Sequence, residues 1–303
     1  MFDFVRPAAI DTTTLASSNV AETVALWDVG TTYDADDEVY RVVGGIHRRY
    51  ISQQGSNLGV TPETDDDASH WLDAGPTNAW AMFDETNSTV TENADSIEVS
   101  VDLPATERAD TLYLSGLAGL SVTVQVTDPV DGLVYDETFG LRDVSGIADE
   151  YDWSFEPILE KTELLVTDLS RGEGSTVDVT IDNTGGTAAC GVMVLGFRKA
   201  LGKSQWAWRI EIRDYSRFVE NDFGDRVLLE RGYRKLASGN FLVENALLDS
   251  VAALLSGARA AVRLYIVDDG YTALAIFGTC RWAIEMSLPP SLSLCSAQLE
   301  SNV

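Results

Sequence analysis

The groups in this sequence that could do chemistry are 48 carboxylates, two histidines and three cysteines. Their spacing argues against most of it. A His-Cys-Asp zinc set requires imidazole and thiolate ligands side by side, but His47 and His70 lie far along the chain from the nearest cysteine, Cys190. Both histidines flank aromatic anchors, Tyr50 and Trp71, and read as ordinary surface residues. Cys190, Cys280 and Cys295 are widely spaced and odd in number, which fits reduced thiols in cores rather than a disulfide framework. "DADDE" (34–38) and "ETDDDAS" (63–69) crowd oxygens together without the spacing of a calcium loop, and read as solvated loops. "GKS" at 202–204 lacks the upstream glycine of a phosphate loop, Phe197 standing there instead. A glycosidase requires two carboxylates about 5–9 Å apart, and the linear order singles out no pair. No H-E-x-x-H and no G-x-S-x-G occurs. The reading is of a non-enzyme with no catalytic residue, no metal site and no cofactor.

Binding chemistry is better represented. Between Leu26 and Ser52, and again at "HWLDAG", aromatics recur among acids and glycines: Trp27, Tyr33, Tyr40, Tyr50 and Trp71. They form either a ligand-gripping patch or the skeleton of a domain too small to fold without large side chains. Bases cluster at Arg198, Lys199, Lys203, Arg209, Arg213 and Arg217. In "WRIEIRDYSR", Arg209, Glu211 and Arg213 alternate with Ile210 and Ile212, which predicts a strand with a charged outer face and an apolar inner one. Arg209, Arg213 and Arg217 are therefore candidates for a face that docks onto an acidic partner. A simple solvated face is the alternative.

The net charge of −27 is unevenly spread. Up to Leu195 there are 36 acids and 8 bases, and from Gly196 onward 12 acids and 13 bases. The acidic part would repel nucleic acid and anionic lipid, so neither is an expected partner. The near-neutral remainder could pack against another protein with little self-repulsion. Solubility in a salty medium, where screening makes dense surface carboxylates tolerable, accounts for the same charge.

These features have to be positioned by elements, and the grammar changes three times. Residues 1–20, rich in Thr, Ser and Ala, read as an irregular arm, and Asp3 stands where a secretion signal would want positive charge. Residues 21–78 are the small aromatic unit. Residues 79–200 hold seven short β-prone runs, "SIEVSVDL", "TLYLSGL", "LSVTVQVTD", "LVYDETF", "TELLVTDL", "STVDVTIDN" and "CGVMVLGF". Turn clusters separate them, which predicts an antiparallel β-sandwich. Residues 201–303 read as an α+β domain with one helix on a sheet. "RFVENDFG" is its turn segment, and Leu247, Val251 and Leu254, widened by Leu248 and Leu255, form the helix stripe. Asn245 is the expected N-cap and Gly257 the expected stop. No run of apolar residues is long enough to span a membrane. The fold class expected is mainly β.

The run "LWDVGTTYDADDEVYRVVGGIHRRYIS…GVTPETDDDASHW" resembles the small chitin- and cellulose-binding modules that accompany chitinases, matching at Trp27, Tyr33, Val39, Tyr40, Tyr50, Pro62 and Trp71. Members that bind polysaccharide carry an exposed tryptophan just after the third tyrosine. Here Ile51, Ser52, Gln53 and Gln54 occupy that stretch. The resemblance implies a glycan site of Trp27, Tyr33, Tyr50, Gln53, Gln54 and Trp71, with its usual stacking platform missing. "GPTNAWAMFDE" and "IEIRDYSRFVENDFGDRVLLERGYRK" resemble segments of bacteriophage tail-associated structural proteins. That resemblance implies a virion tail-tip or baseplate component, assembled as a homo-oligomer (trimer or hexamer) among other tail proteins. A protein that recognises a host surface glycan or receptor is the alternative.

Overall fold

The computed structural model describes residues 1–65, 67–86, 88–144, 147–155, 157, 159–169, 172–220, 224–286 and 291–302, apart from the side chain of Asp152. The chain is mainly β, with all seven expected runs of the middle region in strands. Among the described residues no helix is long and apolar enough to cross a membrane.

Strict alternation builds the five-stranded sheet. In residues 96–102, 121–127 and 176–182 of the strands Thr91–Asp102, Ser121–Asp128 and Thr176–Cys190, every second side chain is a buried Val or Ile. Register then stacks them in rows across the sheet: Val122, Ile181 and Ile97; Val124, Val179 and Val99; Val126, Val177 and Val101. A one-residue slip would turn all nine to the other face, so the pattern fixes the register. These side chains pack on Leu112, Leu114, Val166, Met193 and Leu195 of a second sheet, completing the sandwich.

That second sheet is not confined to the middle region. It runs through nine strands, in the order Glu163–Thr167, Thr111–Ser115, Val192–Ser204, Phe2–Pro7, Arg263–Ile266, Ala275–Glu285, Leu292–Ser301, Tyr233–Glu244 and Arg209–Asp214. Lys203 and Ser204 also pair with Leu242 and Phe241, which closes six of these antiparallel strands into a barrel. Closure removes free edges on that stretch. Its interior is filled by Phe2, Leu201, Phe241, Tyr265, Ile276 and Leu299, with Phe2 and Phe241 4.6 Å apart between ring centroids.

Several expectations are corrected here. Residues 1–20 are not an irregular arm: Phe2–Pro7 is an inner strand, with Val5 opposite both Arg198 and Leu264, and Leu15–Ser18 edges the five-stranded sheet. The Thr/Ser/Ala composition hid the apolar FxFV at the start. The expected boundary at residue 200 falls inside Val192–Ser204, which belongs to sandwich and barrel alike. The helix is present at Leu248–Gly257 and buries Val251 and Leu255 against the barrel, but Leu247 is exposed. Asn245 opens a 3₁₀ turn before the helix instead of capping it, and its Oδ1 accepts a hydrogen bond from Ser293 Oγ at 2.6 Å. "RFVENDFG" is not simply a turn, because Arg217–Glu220 pairs with Arg226–Leu229. Its residues 221–223 lie outside the described residues, as do Asp66 in the 63–69 acidic run and residues 287 and 288 after the "RWAIEM" strand.

The aromatic unit is a four-stranded sheet of Ala25–Leu26, Glu38–Val43, Ile46–Ser52 and Trp71–Pro76. Its central hairpin turns on Gly44 and Gly45, with φ of +62° and +87° between the paired Val43 and Ile46. Two consecutive positive φ values are what a two-residue hairpin with the twist of its strands requires. The unit is tied to the strap before it: Thr12 N–H donates to Gly45 O at 2.9 Å, and a Cβ on Gly45 would sit 2.7 Å from that of Asp11.

Candidate functional site

The six residues expected to contact a glycan do not share a surface role. Tyr33, Val39, Tyr50 and Trp71 form the core of the small unit, Trp71 being 1% exposed. The Tyr33 ring meets the Trp71 ring edge-on at 5.2 Å, and Trp71 Nε1 donates to Val60 O at 2.9 Å. Tyr33 Oη accepts the Asp28 backbone N–H at 2.7 Å. These three rings have no face to offer a sugar. Trp27 is half-buried on the edge of the cluster, and the Arg41 guanidinium lies 4.8 Å over its ring, held there by an ion pair with Glu63. Gln53 and Gln54 are exposed, but without a flat ring from Tyr50 or Trp71 beside them. The stacking platform is missing because Ile51, Ser52, Gln53 and Gln54 follow Tyr50 without a tryptophan among them, while a unit of this size uses Tyr33, Tyr50 and Trp71 for its own core.

Asp65 locks this core. Its carboxylate accepts the backbone N–H groups of His70 and Trp71, both at 2.7 Å. Burial resists ionisation, but those two bonds and the His70 side chain outweigh it and bring the carboxyl down to about 2. His70 thus has a local structural partner, at 3.3 Å from Asp65. His47, expected on the surface, is instead a joint: its ring stacks on Tyr40 at 4.7 Å and leans on Trp80 at 4.9 Å. Glu22 meets its Nδ1 at 2.5 Å and also accepts Thr77 Oγ1 at 3.0 Å.

The basic face is built differently from its expectation. Arg209–Asp214 is the terminal strand of the nine-stranded sheet, and all six residues are exposed. Ile210 and Ile212 therefore do not line an inner face, because among the described residues no layer buries either of them. Arg209 pairs with Glu211 at 3.1 Å, and Arg213 and Arg234 converge on Glu300. Arg217 stands further out, on the hairpin opposite Leu229. The three arginines thus lie along one ribbon, two on the sheet edge and one beyond it.

Two further surfaces were not anticipated. The hairpin of Arg217–Glu220 and Arg226–Leu229 exposes Phe218 (69%), Leu228 (56%), Val219 and Val227, and Trp206, before the strand at the other end of the same ribbon, is 99% exposed. The signal was the run of apolar residues without alternation in "RFV" and "RVLL". A short helix, Glu150–Phe155, exposes Tyr151, Trp153 (59%) and Phe155, with the Tyr151 and Phe155 rings 4.6 Å apart. There the signal was aromatics interleaved with acids in "DEYDWSFE".

Among the described residues no group of three or more His, Cys, Asp or Glu is placed to hold a metal. The three cysteines are free, and burial pushes the Cys190 and Cys280 thiols up to about 12. No protein-family model matches the chain, and no curated protein matches it either. The class that fold and surfaces define is a mainly β protein whose conspicuous features are exposed apolar elements rather than a cleft.

Proposed function

We propose that the chain is a structural, multi-copy component of a bacteriophage tail tip or baseplate, connecting the tail to fibres or receptor-binding parts. The observation that carries this reading is the projecting hairpin, whose apolar side chains are exposed on both faces. A two-stranded hairpin has little stability alone in water, and contiguous exposed apolar surface marks a protein contact. A neighbour that covers it supplies the missing layer.

Two other observations support the reading. The closed six-stranded barrel gives a body without free edges on that stretch, suited to a fixed place in an assembly. The small unit spends its aromatic rings on its own core, which makes it a spacer or mount rather than a sugar-stacking site. With a charge of −27 the chain is a poor binder of nucleic acid.

Light scattering on the purified protein at low and high salt tests the assembly. A discrete closed oligomer, trimer or hexamer, supports it, and a mass of 32.9 kDa at both salts overturns it. Immunogold labelling of purified virions tests the location, with label at the tail tip expected and label on the capsid or none at all opposing it.

A further inference from the structure

Resting on that multi-copy reading, we propose that the hairpin arm of one copy packs on the acidic aromatic segment around Glu150–Phe155 of a second copy. The contact is head to tail, each copy giving an arm to one neighbour and receiving one from another.

The arm is the outer part of a ribbon. At its base Arg209–Asp214 pairs with Tyr233–Ser238, and Leu236–Glu244 is backed by Leu292–Glu300. Beyond that backing the ribbon continues as Arg217–Glu220 against Arg226–Leu229. Register places Phe218 opposite Leu228 on one face, and Val219 opposite Val227 on the other. Arg217, opposite Leu229, and Arg226, opposite Glu220, stand exposed at the two ends of the paired stretch. The element is thus apolar at its centre and charged at its margins, with a guanidinium at each end and one carboxylate beside Arg226.

Charge picks out its counterpart. Residues 143–160 contain six acids and no base, whereas residues 209–235 contain seven bases and six acids. Within the acidic run Tyr151, Trp153 and Phe155 are exposed, so carboxylates and uncovered rings coincide there. Guanidinium groups pair with carboxylates and lie over aromatic faces, and both arrangements strengthen when water is excluded. Apolar centre would meet rings, and arginines would meet carboxylates.

Position agrees with charge. Thr162 and Glu163, just past the acidic segment, line one cavity together with Gly232 and Tyr233 at the base of the arm. Lys235 and Glu163 form an ion pair across it. Arm and segment therefore leave the body at the same end. They remain uncovered within one copy, since the side chains of both are exposed. Copies related by rotation about an axis, without a rise along it, can bring an arm alongside the next copy's segment. Contacts of this heterologous kind close into rings.

The test uses two full-length variants. Phe218→Ser with Leu228→Ser disables the arm, and Trp153→Ser with Phe155→Ser disables the segment. All four side chains are exposed, so both variants should keep the wild-type circular dichroism. Arg217→Glu with Arg226→Glu is a second arm variant that removes no apolar group. Each variant alone should be monomeric by light scattering. An equimolar mixture of the arm-disabled and segment-disabled proteins retains one intact contact per pair, so it should give a species of twice 32.9 kDa. A mixture that stays monomeric overturns the arm-on-segment contact. Arm variants that keep the full wild-type mass overturn it too, while leaving the multi-copy reading standing. A monomeric wild-type protein overturns both.

Discussion

The Asp65 carboxylate accepts the backbone N–H of Trp71 at 2.7 Å, fixing the start of the strand that carries the small unit's most buried ring. An acid from the 63–69 loop is therefore a structural clasp. Because its folded pKa of about 2 lies below the ordinary 3.8, its contribution is fully present above pH 4. It is lost as pH falls from there towards 2, where the folded state can no longer hold a carboxylate that the unfolded chain has already protonated. Asp65→Ala leaves buried donors without an acceptor and should cost about 1–3 kcal/mol. Urea titrations of wild type and variant at pH 7 and pH 3 check this. The difference between the two proteins should shrink at the lower pH.

Trp71→Ala should cost about 3–5 kcal/mol, the range for emptying a large aromatic site in a core. Trp27→Ala should cost far less, because that ring sits half-buried at the edge. Neither change should alter retention on chitin or cellulose, since the buried rings present no stacking face. Thermal unfolding followed by tryptophan fluorescence, beside a polysaccharide pull-down, distinguishes core from contact. Strong retention of wild type that Trp27→Ala abolishes would restore the glycan reading.

Phe2 is fully buried in the barrel, packed on Phe241 and Tyr265. Phe2→Ala should therefore destabilise by about 3–5 kcal/mol. Deleting residues 1–7 should prevent the barrel from folding, because it opens the ladder between Val192–Ser204 and Arg263–Ile266. Retained cooperative unfolding after the deletion, measured by calorimetry, would contradict an inner strand here.

Arg198 is largely buried and bonds Asp168 at 2.6 Å and Asp269 at 3.2 Å, with Asp3 3.9 Å away. Burial pushes the Asp3 carboxyl above its usual range, and Arg198 partly offsets that. Arg198→Met should cost roughly 3–5 kcal/mol near neutral pH, where it strands a buried charge. The loss should narrow as pH falls and Asp3 takes up a proton, because a neutral carboxyl no longer requires the guanidinium. Stability of the variant relative to wild type, followed from pH 7 to pH 4, should show that convergence.

Much of the β architecture was legible because alternation is a local property. "SIEVSVDL", "LSVTVQVTD" and "STVDVTIDN" each place a β-branched residue at every second position, and pleating alone then sends those side chains to one face. The helix at Leu248–Gly257 was legible for the same reason, through four-residue spacing. The aromatic unit was legible as one of two readings, since a unit of that length has little but Trp27, Tyr33, Tyr40, Tyr50 and Trp71 to bury, and the structure assigned Tyr33, Tyr50 and Trp71 to its core.

What the sequence by itself determined, then, was which segments pleat and which one coils. The tertiary structure alone decided which strands are neighbours. Phe2–Pro7 finds its partners nearly two hundred residues or more away, and Val192–Ser204 serves sandwich and barrel together. Pairing over such distances depends on the closure of the whole sheet, which no local window encodes. It also decided that Ile210 and Ile212, patterned as though for a core, stand uncovered at a sheet edge. A side chain's type states what it would gain from burial, but whether another layer arrives to bury it is settled by the rest of the chain or by a neighbour.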